Sequence, residues 1–285
     1  MRLGYSTNSI GDIPPLAGLP LLADLGYSSL AITLDHALLN PFSTGLAAEC
    51  ARWREALKHH GMACVIETGA RHLLDPQRKH EPTLVSADPD QRLRRVEFLQ
   101  RAIDIAVELR ADCVSLWAGI GRDAAPEETL WHRLTESLAL VVAHAATRGV
   151  VLGFEPEPGM FIDTLARHGE LVERMGRPAA LELTVDIGHL ECMGEWPLAE
   201  RIGDVLPQIC NVHLEDMRAC RHEHLPLGRG DIDFAAVLGV LQAGGYAGGI
   251  HIELPRQAHA WLDTARQSAV QLVPLVHGCD RIGHP

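Results

Sequence analysis

Leu181-Glu-Leu-Thr-Val-Asp186-Ile-Gly-His189 is an apolar run that ends on an acid, followed closely by a glycine and a histidine. It decides the fold because its form recurs. Val150-Val-Leu-Gly-Phe-Glu155 lies upstream, and Ile209-Cys-Asn-Val-His213 and Gly249-Ile-His-Ile-Glu253 lie downstream. The four terminal residues are 31, 27 and 40 positions apart. Each interval has the length of a strand, a loop, a helix and a return loop. A parallel β/α barrel gathers the C-terminal ends of its strands around one mouth, where its active sites sit. Glu155, Asp186, His213 and Glu253 would meet there. Three carboxylates and one imidazole make a divalent-metal site. Hard oxygen ligands favour Mn²⁺ or Mg²⁺ over a thiolate-rich zinc site, with Co²⁺ and Zn²⁺ also compatible. One acid at a strand end only marks where the chain returns to water; the recurrence carries the argument.

Working outward, eight runs predict strands: 2–6, 28–34, 62–67, 112–118, 149–155, 180–186, 209–214 and 248–253. Most lack apolar–polar alternation, as expected of strands buried on both faces of a parallel sheet. Helical patterns fall between them. Residues 44–60 follow Ser43, a candidate N-cap, and stop at Gly61. Residues 90–110 carry apolar residues at 93, 96, 99, 103, 106 and 107, which is helical spacing. Residues 126–148 open on Pro-Glu-Glu, a favourable first turn. Segments 164–175, 197–207, 233–243 and 259–276 complete the alternation. The order predicts an α/β protein, a single (β/α)₈ barrel occupying 1–285 as one domain.

The chain has 285 residues, 47% of them hydrophobic and 22% charged, enough apolar surface for a full core. A net charge of −12 argues against a nucleic-acid partner, whose phosphates need a basic face. Seven cysteines (50, 64, 113, 192, 210, 220 and 279) show no CxxC pair, so reduced thiols and a cytoplasmic location are expected. The start, Met1-Arg-Leu-Gly-Tyr-Ser-Thr7, does not read as a signal segment, and no run reaches membrane-spanning length. A small-molecule partner is expected, and a homo-oligomer is left open.

Residues 68–89 link the third strand to its helix, which is long for a plain connection. The segment is basic in an acidic chain, with Arg71, His72, Arg78, Lys79 and His80. It is expected to cover the mouth and to touch substrate through Arg71 or His72. Trp117, ending the fourth strand, offers an apolar wall to the carbon face of a sugar.

Strand parity adds two deeper residues. Side chains two apart share a face, so Asn211 accompanies His213 and His251 accompanies Glu253. His251 is either a packed core histidine or an orienting partner. Gly188 permits a tight exit that lets Asp186 and His189 face one mouth. His222-Glu-His224, read as a loop, places two imidazoles at metal-chelating or anion-binding spacing. A glycine-flanked turn, Gly228-Arg-Gly230, then leads to a helix capped near Asp231 or Asp233.

These elements resemble the xylose-isomerase-like TIM-barrel superfamily of sugar isomerases, ketose 3-epimerases, inosose dehydratases and endonuclease IV. The resemblance rests on FEP at 154–156, VDIGH at 185–189, NVHLED at 211–216, LGRGDIDF at 227–234 and HIE at 251–253. It implies a single-metal site at Glu155, Asp186, His213 and Glu253, with Glu155 and Glu253 also carrying protons. It implies a substrate-contacting role for His189; His222, His224, His72 and Trp117 are further candidates from the reading of the residues themselves. Two departures stand out. Where ketose 3-epimerases carry a substrate-binding arginine before the Gly-x-Gly turn, this chain has His224. Where endonuclease IV has a metal-binding Asp-x-His pair, it has His222-x-His224, so a second metal is open there. The fourth strand, however, ends Ser115-Leu-Trp-Ala-Gly119, without a histidine for a trinuclear zinc cluster. The implied function is a metal-dependent isomerase or epimerase of carbohydrate metabolism, acting on a sugar, keto-sugar or polyol through an enediolate, with manganese as the favoured ion. An inosose-type or keto-sugar dehydratase is the alternative, and a non-catalytic metabolite-binding barrel a further one.

Overall fold

Apolar runs too short for helices and flanked by glycine and polar residues form the strands. The computed structural model describes residues 1–277. In chain order it has β1 (Arg2–Ser6), α1 (Pro15–Asp24), β2 (Ser29–Thr33), α2 (Leu46–His60), β3 (Ala63–Glu67), α3 (Pro89–Leu109), β4 (Val114–Leu116), α4 (Glu127–Arg148), β5 (Leu152–Phe154) and α5 (Leu165–Arg174). There follow β6 (Leu181–Asp186), α6 (Ile187–Met193), α7 (Leu198–Val205), β7 (Ile209–Leu214), a hairpin of β8 (Asp216–Arg218) and β9 (Arg221–Leu225), α8 (Phe234–Ala243), β10 (Gly249–Ile252) and α9 (Trp261–His277). The eight parallel strands close in the order β1-β10-β7-β6-β5-β4-β3-β2, a single (β/α)₈ barrel.

All eight expected strands are present, with β4 and β5 shorter than the apolar runs that announced them. α1 was not anticipated, because Pro14, Pro15 and Pro20 break the helical pattern; Pro15 lies in the first turn, where a missing N–H costs nothing. α6 and the hairpin were also missed, and His222-Glu-His224 lies on β9 rather than in a loop. Ser43 does not cap α2 directly; its hydroxyl accepts from the Gly45 N–H in the turn before it. Asp233 caps α8, accepting from the Ala236 N–H. No disulfide joins the six cysteines among the described residues, and Cys64 and Cys113 are buried as small apolar groups; Cys279 lies outside them.

The chain divides into two compact units. The first comprises Met1–Ile32, Glu55–Cys64 and the chain from Val185 onward; the second comprises Thr33–Arg54 and Val65–Thr184. In the first unit the register aligns Ser29 with Gly4, Gly4 with His251 and His251 with His213, one level across four neighbouring strands.

In the second unit, β4 pairs with β3 and β5, and β5 with the start of β6. Asp88 caps α3 by accepting from the Asp90 N–H, and Gly149 ends α4 in the left-handed region. The segment before α3 is packed: Leu74, Leu84 and Val85 are buried, and Glu81 pairs with Arg122. His72 is exposed and Arg71 half-exposed.

His168 on α5 is buried against Phe154, and burial lowers its pKa to about 4. Its folded pKa lies below the unfolded value, so its contribution to stability is present above pH 6.5 and lost as pH falls toward 4. Between pH 7 and pH 5 this one ring should cost about 2 kcal/mol. Urea unfolding at both pH values should show that loss in the wild type and a smaller one in His168→Gln; equal losses would refute the assignment.

Candidate metal centre and active site

The first unit builds a buried cluster of acids and imidazoles from four consecutive strand ends and their connections. Asp186 ends β6 and also caps α6, its Oδ1 accepting from the His189 N–H at 2.8 Å. The cap folds the chain back so that His189 Nε2 lies 3.5 Å from Asp186 Oδ2. His213 in β7 points Nδ1 at Glu253 Oε2, 3.2 Å away, and at Asp186 Oδ2, 3.9 Å away. Glu253 follows β10 directly, and its other oxygen accepts from Asn8 Nδ2 at 2.6 Å. Asn8 is held in turn by Ser9, whose hydroxyl donates to Asn8 Oδ1 and accepts from the Leu254 N–H. Asn8 and Ser9 carried no signal in the sequence, since they follow β1, far from Glu253 along the chain.

Glu215 was also missed. It stands two residues beyond His213, and the parity that singled out Asn211 on one side points to Glu215 on the other. It is wholly buried, and one oxygen lies 3.5 Å from His224 Nδ1. Asp186, His189 and Glu215 each offer a ligand atom within 4.8 Å of the others, as do His189, His222 and His224. Gly188 is explained by this approach: a Cβ there would collide with the Glu215 carboxylate. Asp216, next in the chain, serves the turn instead. Its carboxylate accepts from the Gly230 N–H at 2.7 Å and the Ile232 N–H at 3.3 Å, which fixes the Gly228–Gly230 segment.

The electrostatics follow from burial. Burial and the neighbouring Asp186 charge raise the Glu215 carboxyl well above its ordinary range. Burial pushes Asp186 upward too, but His189 and His213 outweigh it, and its pKa ends below the usual value. Burial lowers His189 to about 4, and lowers His222. The cluster thus favours the anion at Asp186 and disfavours charge on Glu215 and on His189. Asp186 Oδ2 and both Glu215 oxygens are buried, and the two carboxyl groups face each other. Such acceptors are costly, about 1–3 kcal/mol each, unless something positive faces them. A divalent cation fits this donor set of hard oxygens and imidazole nitrogens.

Of the sequence-predicted residues, the first unit thus brings together Asp186, His189, His213, His222, His224 and Glu253. The others belong to the second unit. Glu155 follows β5, is 5% exposed, and its N–H donates to the Leu116 carbonyl at 2.8 Å. Trp117 follows β4 and is 6% exposed, with the Arg95 guanidinium 4.3 Å above its ring and the edge of His80 5.4 Å away. His72 stands in the exposed part of the segment before α3, its carbonyl 3.3 Å from His36 Nε2.

Beneath the cluster runs a chain of buried polar groups. Ser29 Oγ lies 2.9 Å from His251 Nε2, His251 Nδ1 lies 2.9 Å from Asn211 Oδ1, and Asn211 Nδ2 lies 3.1 Å from His213 Nε2. Burial holds the pKa of His251 well below the ordinary histidine value, so its ring is neutral.

The family described as the xylose isomerase-like TIM barrel matches residues 19–271. The chain is 25% identical over 234 residues to the provisionally named L-ribulose-5-phosphate 3-epimerase SgbU of Escherichia coli (strain K12), covering 78% of this chain and 77% of that one. It is 27% identical over 199 residues to the 3-dehydroshikimate dehydratase of Pseudomonas putida, covering 66% of this chain but only 30% of that longer protein. The solved structure of a D-tagatose 3-epimerase-like protein superposes with a TM-score of 0.79 at 21% identity, over 97% of this chain and 98% of the other, a likeness of fold.

Proposed function

Because the chain belongs to the xylose isomerase-like TIM-barrel family, we propose that it is a divalent-metal-dependent isomerase or epimerase acting on a sugar or keto-sugar. The observation that carries this reading is the group of Asp186, His213 and Glu253 at neighbouring strand ends, with Asp186 and His213 buried and His213 Nδ1 turned toward both carboxylates. The relative named as a ribulose-phosphate 3-epimerase supports it. Asp186, His213 and Glu253 would hold the ion, and Glu155 is proposed with them from the recurrence of acids at strand ends in the sequence. When bound, a divalent ion polarises carbonyl and hydroxyl oxygens of the substrate.

The chain's own residues supply the rest. Epimerisation beside a carbonyl removes a proton from carbon and returns one to the opposite face. Glu253 is set for one of these transfers: Asn8 fixes one oxygen, and the other remains on the side of His213. Glu155 serves the opposite face. His189 and His224 donate hydrogen bonds to substrate hydroxyls, and burial of the cluster excludes water, which strengthens each such interaction. Manganese is the favoured ion, and a soluble compartment suits the substrate; no helix among the described residues is long and apolar enough to cross a membrane.

A dehydratase uses the same first proton abstraction and then expels a β-hydroxyl. One observation favours it: His189, His222 and His224 lie together beside the acids, where an imidazole N–H could donate a hydrogen bond to a leaving hydroxyl. Deuterium wash-in separates the readings. Purified protein with Mn²⁺ and a panel of free and phosphorylated keto-sugars in D₂O should incorporate deuterium beside the carbonyl and form the epimer. Loss of water would establish a lyase instead, and no exchange with any member would overturn both for a binding barrel.

The segment before α3 should contribute to substrate binding. Its basic residues suit an anionic or polyhydroxyl substrate. Arg71→Ala and His72→Ala should each raise KM severalfold with kcat little changed, a loss of roughly 1 kcal/mol of uniform binding. Steady-state kinetics unchanged in both variants would remove the segment from the site.

A further inference from the structure

His213 shows one nitrogen to the acids and the other to Asn211. A neutral imidazole carries one proton, and for Nδ1 to bind a cation that proton must sit on Nε2. The amide of Asn211 lies between two imidazoles and has one donating and one accepting end. With Nδ2 toward His213, Nε2 of His213 is an acceptor, and its proton is on Nδ1, directed at Glu253. The same orientation puts Oδ1 toward His251, whose proton must then be on Nδ1, with its Nε2 accepting from the Ser29 hydroxyl. The structure has the amide in this orientation, with Nδ2 toward His213 and Oδ1 toward His251. Turning the amide over exchanges its ends and reverses these three bonds: His213 Nε2–H donates to Asn211, Asn211 donates to His251 Nδ1, and His251 Nε2–H donates to Ser29. No net proton leaves the two rings.

The His251 ring is held. A Cβ on Gly4 or on Gly249 would strike the His251 ring, so two glycines are committed to seating it. The register places Ser29, Gly4, His251 and His213 at one level, which is why the chain of contacts is continuous. Proton position and amide orientation are therefore what remains to vary.

We propose that Asn211 and His251 are positioning residues for the metal centre, and that a single amide flip at Asn211 switches both imidazoles together between a cation-free and a cation-bound tautomer. This rests on the reading of His213 as a metal ligand. It predicts a coupled change at His251, whose ring nitrogens face Ser29 and Asn211 rather than the cluster of acids.

The test uses the full chain with ¹⁵N-labelled histidine, stripped by chelation and then titrated with Mg²⁺ or Zn²⁺, both diamagnetic. Imidazole nitrogen shifts, assigned with His213→Asn and His251→Gln, report which nitrogen bears the proton. Both rings should be Nδ1–H when stripped and Nε2–H when loaded. If His213 changes and His251 stays Nδ1–H, the coupling is overturned and the metal site stands. If His213 does not change at saturating ion, the ligand reading fails, and the relay fails with it. Asn211→Leu, close in volume, should weaken Mg²⁺ or Zn²⁺ binding by about 10–100-fold in chelator competition. Asn211→Asp, which accepts from both rings and fixes His213 as Nε2–H, should restore most of that affinity. Unchanged affinity in the leucine variant would reduce Asn211 to a packing residue and overturn the proposal.

Discussion

Glu253→Gln is expected to lower kcat by about 10²–10⁴-fold, the usual worth of a positioned acid or base, with any loss of ion binding adding to it. The amide keeps an oxygen for coordination and keeps its contact with Asn8, whose Nδ2 lies 2.6 Å from the carboxylate. What it loses is the ability to take a proton from carbon. Glu155→Gln should be impaired on the same scale. The two roles are separated by measuring deuterium exchange from each epimer at saturating Mn²⁺. One variant should be blocked first from one epimer and the other from its partner, because each glutamate serves one face. Near wild-type turnover in either fully loaded variant would move the chemistry elsewhere, with His189 and His224 next to be tested.

The second large effect concerns the ion itself. Asp186 and His213 approach within 3.9 Å with the Asp186 oxygen buried, so removing both withdraws a charge and a lone pair from one point. Asp186→Asn combined with His213→Ala should abolish stoichiometric binding of divalent ion by elemental analysis. It should also abolish the thermal stabilisation the ion gives the wild type. At a hundredfold excess over Kd that stabilisation is about 2.7 kcal/mol, or roughly 4–5 °C in Tm for a chain of this size. Asp186 also caps α6, and asparagine caps nearly as well, so the helix start should survive. Full occupancy in the double variant would show that the ion sits elsewhere, with His189, His222 and His224 the first place to look.

The barrel was legible because its evidence is local. A strand buried on both faces must be apolar along its length and must end where its backbone returns to polar surroundings. Glu155, Asp186, His213 and Glu253 therefore announce themselves as the first ionisable residues after such runs. Parity extended this reading to Asn211 and His251, since two-residue periodicity is a property of one strand. Helix starts were legible from a capping side chain at Asp233 and from an acidic first turn at Glu127–Glu128.

Other features depend on register and on contacts between segments far apart in the chain. Glu215 was within reach of parity, but only its burial against Asp186 and His224 sets it apart from the structural Asp216 beside it. The β8–β9 hairpin could not be read from His222-Glu-His224, because a short polar strand gains its partner only by pairing across a turn. Asn8 finds Glu253 because β1 and β10 are neighbours in the closed sheet. Ser29 meets His251 across 222 residues because Gly4 leaves the space between them. The sequence by itself determined which residues end the strands and what chemistry they bring. The tertiary structure decided which nitrogen of His213 faces the acids and what holds the other, because hydrogen-bond partners across strands are chosen by register, and register is set when the strands pair.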